Sequence, residues 1–421
     1  MKKLRTLAAT LLAATTLGSF VPSANAQEKV QVTFWHAMNG PHQEMLTKLV
    51  EEFNASQEGI EVVEQNQGDY STLQQSIMAS GVSGDLPTIA QLTASNTPDF
   101  MDQGLLLPLN DLLTPENGYT DELKEGVYET FLKGATFDDQ IYALPFSKSV
   151  RLMFVNKTML DEVNAEVPKT WDEVLALGEK LDEAGIEKPA MGLENELTME
   201  YETMARQNGA TWIADDLSQV DMSSEKAIEP LQFIKDLLAN EHARTAGEDG
   251  YMSGPFAAGE SALYIGSSAG LQYVLPGVEE SGIELETAHI PVFGDGEELT
   301  LFAGNDLGVF SSASEEQQKA AVQFMSFLLE NTDRWAIATG YLPVTKQGAE
   351  SEEWTQYLEE NPLVKAASEE LEFGKAQAAY VGASEVYSEL KTALENIIIN
   401  DADAATEMAN IETLVKGFLG L

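Results

Sequence analysis

KVQVTFWHAMNGPHQEMLTKLVEEFNASQEGIEVVEQ, residues 29–65, decides the fold. KVQVTFW (29–35) alternates apolar and polar residues, the period-two pattern of a half-buried strand. HQEMLTKLVEEFNAS (42–56) switches to apolar positions three and four apart, which is a helix, and IEVVEQ (60–65) returns to a strand. STLQQSIMAS (71–80) reads as a second helix and LPTIAQL (86–92) as a third strand. This alternation predicts an α/β lobe with a mostly parallel sheet. Ligands of such sheets gather at the carboxyl ends of the strands. FWHAMNG (34–40) and GDY (68–70) fall there.

Further along, YALPFSKSVRLMFVNKTML (142–160) is a long extended run with one Pro, long enough to cross from one lobe to another. PKTWDEVLALGEKLDEAG (168–185) opens a helix in which Thr170 is the N-cap and Glu173 its capping-box partner. EKAIEPLQFIKDLLAN (225–240) is helical, FAAGESALYIGSSAGLQYV (256–274) and TLFAGNDLGVFS (300–311) bring strands back, and 315–345 reads as a long helix, a short helix and a loop. The chain is helical again from about 366. Repeats and low-complexity linkers are lacking.

The first 26 residues read as a signal peptide: MKKLR is a basic head, LAATLLAATTLGSF an apolar run, and Ala24-Asn25-Ala26 a small-x-small cleavage site. The remaining 395 residues exceed what one core usually holds, so two domains are expected. Basic residues number 24 and acidic ones 69, giving a net charge of −45 that becomes −48 once Lys2, Lys3 and Arg5 leave with the signal. Such a surface repels nucleic acid and anionic membranes. With no Cys there is neither a disulfide framework nor a Cys-anchored lipid. The expectation is a free periplasmic monomer.

FWHAMNG, GDY, PFSKS followed by VNK, PKTW, FAAGESAL with SSAG, FAGNDLGV and GYLPVTK occur in one order along the mature chain. Together they resemble the periplasmic solute-binding proteins of ABC importers, in the cluster serving sugars and glycerol phosphates. The resemblance implies two α/β lobes joined by a hinge that close on a ligand, the Venus-flytrap fold. Residues 27–147 with about 301–345 would form one lobe, and 148–300 with about 346–421 the other. It places Tyr70, Ser149, Ser267, Gly304 and Tyr341 in the cleft, with Trp35 beside them; His36, Arg151, Ser268 and Asn305 complete the candidate set. Trp35 would offer an apolar face to the C–H side of a polyol.

The partners implied are a small polar solute and a membrane permease, with no cofactor. Glycerol-3-phosphate or a glycerophosphodiester comes first, and a neutral di- or oligosaccharide second. Two positions depart from the family pattern: Ala94 stands where an acid is expected, and Tyr387 or Ser388 where a phosphate-binding Arg is expected. Lys148 or Arg151 would then have to meet a phosphate. On a regular strand only one of the two faces the ligand, and Arg151 has the better fork for two oxygens.

A rival function is hydrolysis, because Gly266-Ser267-Ser268-Ala269-Gly270 matches G-x-S-x-G between a strand and a helix. His289 is the only downstream His, however, and an HGGG-type segment is missing. A surface adhesin would need repeats or an anchor. The four His lack metal-ligand spacing, and neither a P-loop nor G-x-G-x-x-G follows a strand, so a metal, a nucleotide cofactor and an enzyme are all not expected.

Overall fold

The structure, a computed structural model, describes residues 29–421. The expected signal peptide, 1–26, lies outside them. Two five-stranded sheets organise the chain. Their strands are β1 (Val30–His36), β2 (Ile60–Asn66), β3 (Ile89–Leu92), β4 (Ala143–Ser149), β5 (Arg151–Asn156), β6 (Met191–Leu193), β7 (Ala243–Thr245), β8 (Leu263–Ser267), β9 (Leu285–Ala288) and β10 (Ala303–Val309). The first sheet has the order β2-β1-β3-β10-β4 and the second β7-β6-β8-β5-β9.

In the first sheet β1 pairs parallel with β2 and β3, as the opening stretch predicts, whereas β10 runs antiparallel between β3 and β4. In the second, β7, β6 and β8 are parallel and β5 is antiparallel to both β8 and β9. Each sheet thus has one reversed strand, and both reversals come from the chain passing between sheets. β10 enters the first sheet from the second-sheet side, and β5 leaves the first sheet for the second after a single residue, Val150.

The helices that matter below are α1 (Gly40–Ser56), α2 (Tyr70–Ser83), α3 (Thr97–Asp102), α4 (Trp171–Ala184), α5 (Thr198–Gln207), α6 (Leu271–Ser281), α7 (Glu315–Glu330), α8 (Thr332–Thr339), α9 (Ala383–Ile399) and α10 (Ala404–Leu419). α1 and α7 lay apolar stripes on the first sheet, where Leu46, Leu49, Phe53 and Phe324 join Val32 and Phe34 in one buried cluster. Val174 and Leu181 of α4 bury against the second sheet together with Val386 and Ile397 of α9 and Ile411 and Val415 of α10. α4 begins with the predicted capping box, Thr170 accepting from the Glu173 N–H and the Glu173 carboxylate returning the bond. Among the described residues no helix is long and apolar enough to cross a membrane.

Candidate functional site

Strand direction gathers the candidates. β1, β2 and β4 end at one edge of the first sheet, and the reversed β10 begins there. Trp35, Tyr70, Ser149, Gly304 and Asn305 therefore share that edge. In the second sheet β8 ends where the reversed β5 begins, so Ser267 lies opposite Arg151. The edges meet at Val150, whose carbonyl accepts the Ser268 N–H at 2.9 Å. Tyr341 comes in from the loop after α8, because Leu342 N–H donates to the Lys148 carbonyl at 2.7 Å.

Three candidates touch one another. Asn305 Nδ2 donates to the Tyr70 hydroxyl at 2.7 Å, and the Tyr341 hydroxyl reaches the same phenol. Burial pushes the Tyr70 phenol up to about 12 and Tyr341 well above the usual range. Both stay neutral O–H groups able to give and take hydrogen bonds. Asn305 Oδ1 is fully buried and has no partner among the described residues, an unmet acceptor beside two phenols. Tyr341 stacks on Trp335 with ring centres 5.9 Å apart. Gly304 must be Gly: its φ is +102°, and a Cβ there would lie 1.8 Å from the Ser147 carbonyl oxygen. It sits beside the register shift that turns Asn305 and Asp306.

Other candidates are placed differently. Trp35 is half-buried and donates through Nε1 to Gln65 Oε1 at 2.8 Å. His36 points into the core: it is fully buried, Nδ1 accepts from the Met38 N–H, and desolvation lowers its pKa to about 4. Ser149 is buried at the end of β4. Ser267 Oγ accepts from the Ala269 N–H at 3.2 Å, closing the turn into α6. Ser268 is buried against Val150. His289 is held by Glu298 at 2.9 Å and Glu369 at 3.4 Å, two strands from Ser267.

The two cations are already partnered. Lys148 Nζ lies 2.7 Å from Asp306 Oδ1. Arg151 donates from Nε to Glu200 Oε1 at 2.6 Å and also through a terminal nitrogen. Burial disfavours the Arg151 charge, but Glu200, Tyr264 and Glu194 outweigh it and hold the guanidinium above its ordinary pKa. Lys148 and Arg151 do not alternate along one strand as expected. The run breaks at Val150, and its halves belong to different sheets. Tyr387, one of the two residues expected where the family pattern has an Arg, donates to Glu196.

The sequence reading missed Asn39, His42, Tyr251 and Tyr273. Tyr273 of α6 donates to Asn39 Oδ1 at 2.9 Å, joining the second-sheet side to the loop after β1. His42 lies between Tyr273 and Tyr341, 5.2 Å from each ring centre. Tyr251 is 72% exposed and close enough to raise the Tyr70 and Tyr273 phenols electrostatically. Asn39 lies inside FWHAMNG (34–40), but no short motif marks His42, Tyr251 or Tyr273. Glu200 did leave a trace, a carboxylate inside the apolar-spaced TMEYETM (198–204).

A polar cleft between two α/β lobes is the architecture of a protein that captures solutes. The sequence profile of the bacterial extracellular solute-binding proteins matches residues 48–362, and the chain belongs to that family. The sn-glycerol-3-phosphate-binding periplasmic protein of Rhizobium meliloti is 25% identical over 84% of each chain. Its counterpart in Yersinia pseudotuberculosis is 22% identical over 83% of this chain and 82% of its own. UgpB of Mycobacterium tuberculosis, solved with glycerophosphocholine, superposes with a TM-score of 0.82 at 21% identity, covering 93% of this chain and 99% of its own. The cyclic α-maltosyl-1,6-maltose binding protein of Arthrobacter globiformis does so at 0.76 and 24%, over the same shares.

Proposed function

We propose that this chain is the solute-capturing subunit of an ABC importer and that its solute is neutral and polyhydroxylated, a di- or oligosaccharide. The observation that carries this reading is the pairing of both cleft cations, Lys148 with Asp306 and Arg151 with Glu200. A phosphate needs a charge-assisted partner, roughly twice as strong as a neutral hydrogen bond. With Glu194 beside Arg151 and Glu196 beside Glu200, acids outnumber cations here. Hydroxyls are better served by the Tyr70 and Tyr341 phenols and the unmet Asn305 acceptor, and aromatic faces such as Tyr251 suit a sugar ring. Contacts from both lobes would favour the closed state.

A glycerol phosphate or glycerophosphodiester is the second reading. Likeness to the glycerol-phosphate-binding relatives over 84% of the chain favours it. Thermal shift with maltose-class saccharides, glycerol-3-phosphate and glycerophosphocholine separates the two. A true ligand at a hundredfold its Kd stabilises by about 2.7 kcal/mol. A rise in melting temperature with saccharides alone is expected. A rise with the phosphates alone would hand the site to the second reading.

A further inference from the structure

α3 and α9 belong to opposite sides of the cleft. Phe100 of α3 is fully buried with Ala90 and Leu92 of the first sheet, whereas Val386, Leu390 and Ile397 of α9 are buried in the second-sheet core. Between them, the Asp99 carboxylate makes no bond to its own helix, whose N-cap is Asn96. Oδ1 accepts from the Gly382 N–H at 2.6 Å and Oδ2 from the Ser384 hydroxyl.

Gly382 is the N-cap of α9, a 17-residue helix that has no side-chain cap of its own. It cannot readily become Ser or Asp, because its φ is +93° and a Cβ would lie 2.2 Å from the Phe418 ring. A helix start leaves unsatisfied N–H groups and the positive end of the macrodipole, both of which an anion relieves. Here the relief comes from the other lobe.

We propose that Asp99 is an interlobe latch: by capping α9 across the cleft, it gives the closed state two hydrogen bonds that opening must break. This rests on the two-lobed fold and not on which solute binds. The seam beside it is a cavity of about 300 Å³ that Asp99 shares with Asp102 and Glu385 and with no basic residue. Those neighbouring carboxylates oppose closure at low ionic strength, and screening relieves them, so salt tightens the latch.

The absence of Cys allows a direct measurement. Spin labels at Val82→Cys on α2 and Ile399→Cys on α9, 92% and 71% exposed in the parent, report the separation of the lobes in the full mature chain. A predominantly short distance is expected for the doubly labelled parent. Asp99→Ala should raise the long-distance population about fivefold, the factor given by one lost cap at about 1 kcal/mol. Ser384→Ala should raise it less, and add nothing when Asp99 is already Ala. Circular dichroism melts distinguish opening from unfolding. If Asp99→Ala unfolds, Asp99→Asn, which keeps an acceptor for the Gly382 N–H, is compared with Ser384→Ala instead. Identical distance distributions in parent and variants would overturn the latch. An undiminished Ser384→Ala effect in the Asp99→Ala background would overturn it too.

Discussion

Gly304 and His36 show what single positions contribute at the cleft edge. Adding a Cβ at Gly304 drives it into the Ser147 carbonyl on the paired strand, so β4 and β10 must separate. Gly304→Ala is therefore expected to destabilise by roughly 3 kcal/mol or more, read from urea midpoints. A loss below about 0.5 kcal/mol would mean that the bulge relaxes freely. For His36, desolvation moves the pKa from 6.5 to about 4. Between those values the unfolded chain binds the proton and the folded chain does not, so stability rises with pH across that window and falls on acidification. The shift corresponds to about 3 kcal/mol. His36→Gln should flatten the stability profile between pH 6.5 and 4, and an unchanged slope would assign it to other groups. The sequence places His36 beside Trp35 as a cleft residue. Strand alternation instead sends it inward with Val32 and Phe34, as the burial of all three shows.

At the scale of elements, regular hydrophobic periods were legible and changes of partner were not. The capping box at Thr170 is local chemistry, readable from four residues, and the structure contains it. Thr170→Ala is expected to cost about 1 kcal/mol, measured by thermal or urea denaturation. A neutral result would mean that burial of Trp171 and Val174 alone holds the start of α4. The run 142–160 reads as extended chain and is so as far as Asn156, where a helix, Lys157–Glu162, takes over; its division at Val150 between two sheets was not legible. β4 and β5 are both buried throughout and carry no alternation to reveal a change of face. The antiparallel entry of β10 escaped for a similar reason, because strand direction depends on which sheet a distant segment joins.

For the whole molecule the dominant quantity is a charge of −45. Self-repulsion of that size opposes the compact state, and salt screens it, the Debye length shrinking from about 30 Å at 0.01 M to about 3 Å at 1 M. The melting temperature should rise steadily with NaCl over that range. A flat response would indicate that the surface carboxylates are already spaced beyond mutual reach. Charge, α/β class and the order of the family motifs are properties of composition and local pattern, and the sequence alone determined them. Tertiary structure decided the state of the charged and polar tips: that Arg151 is met by Glu200, 49 residues away, that Lys148 is met by Asp306, and that Tyr70 is met by Asn305, 235 residues away. No local pattern encodes those pairings. They arise only when two sheets bring distant segments to a common edge, where burial removes water and leaves each polar group to the partner folding provides.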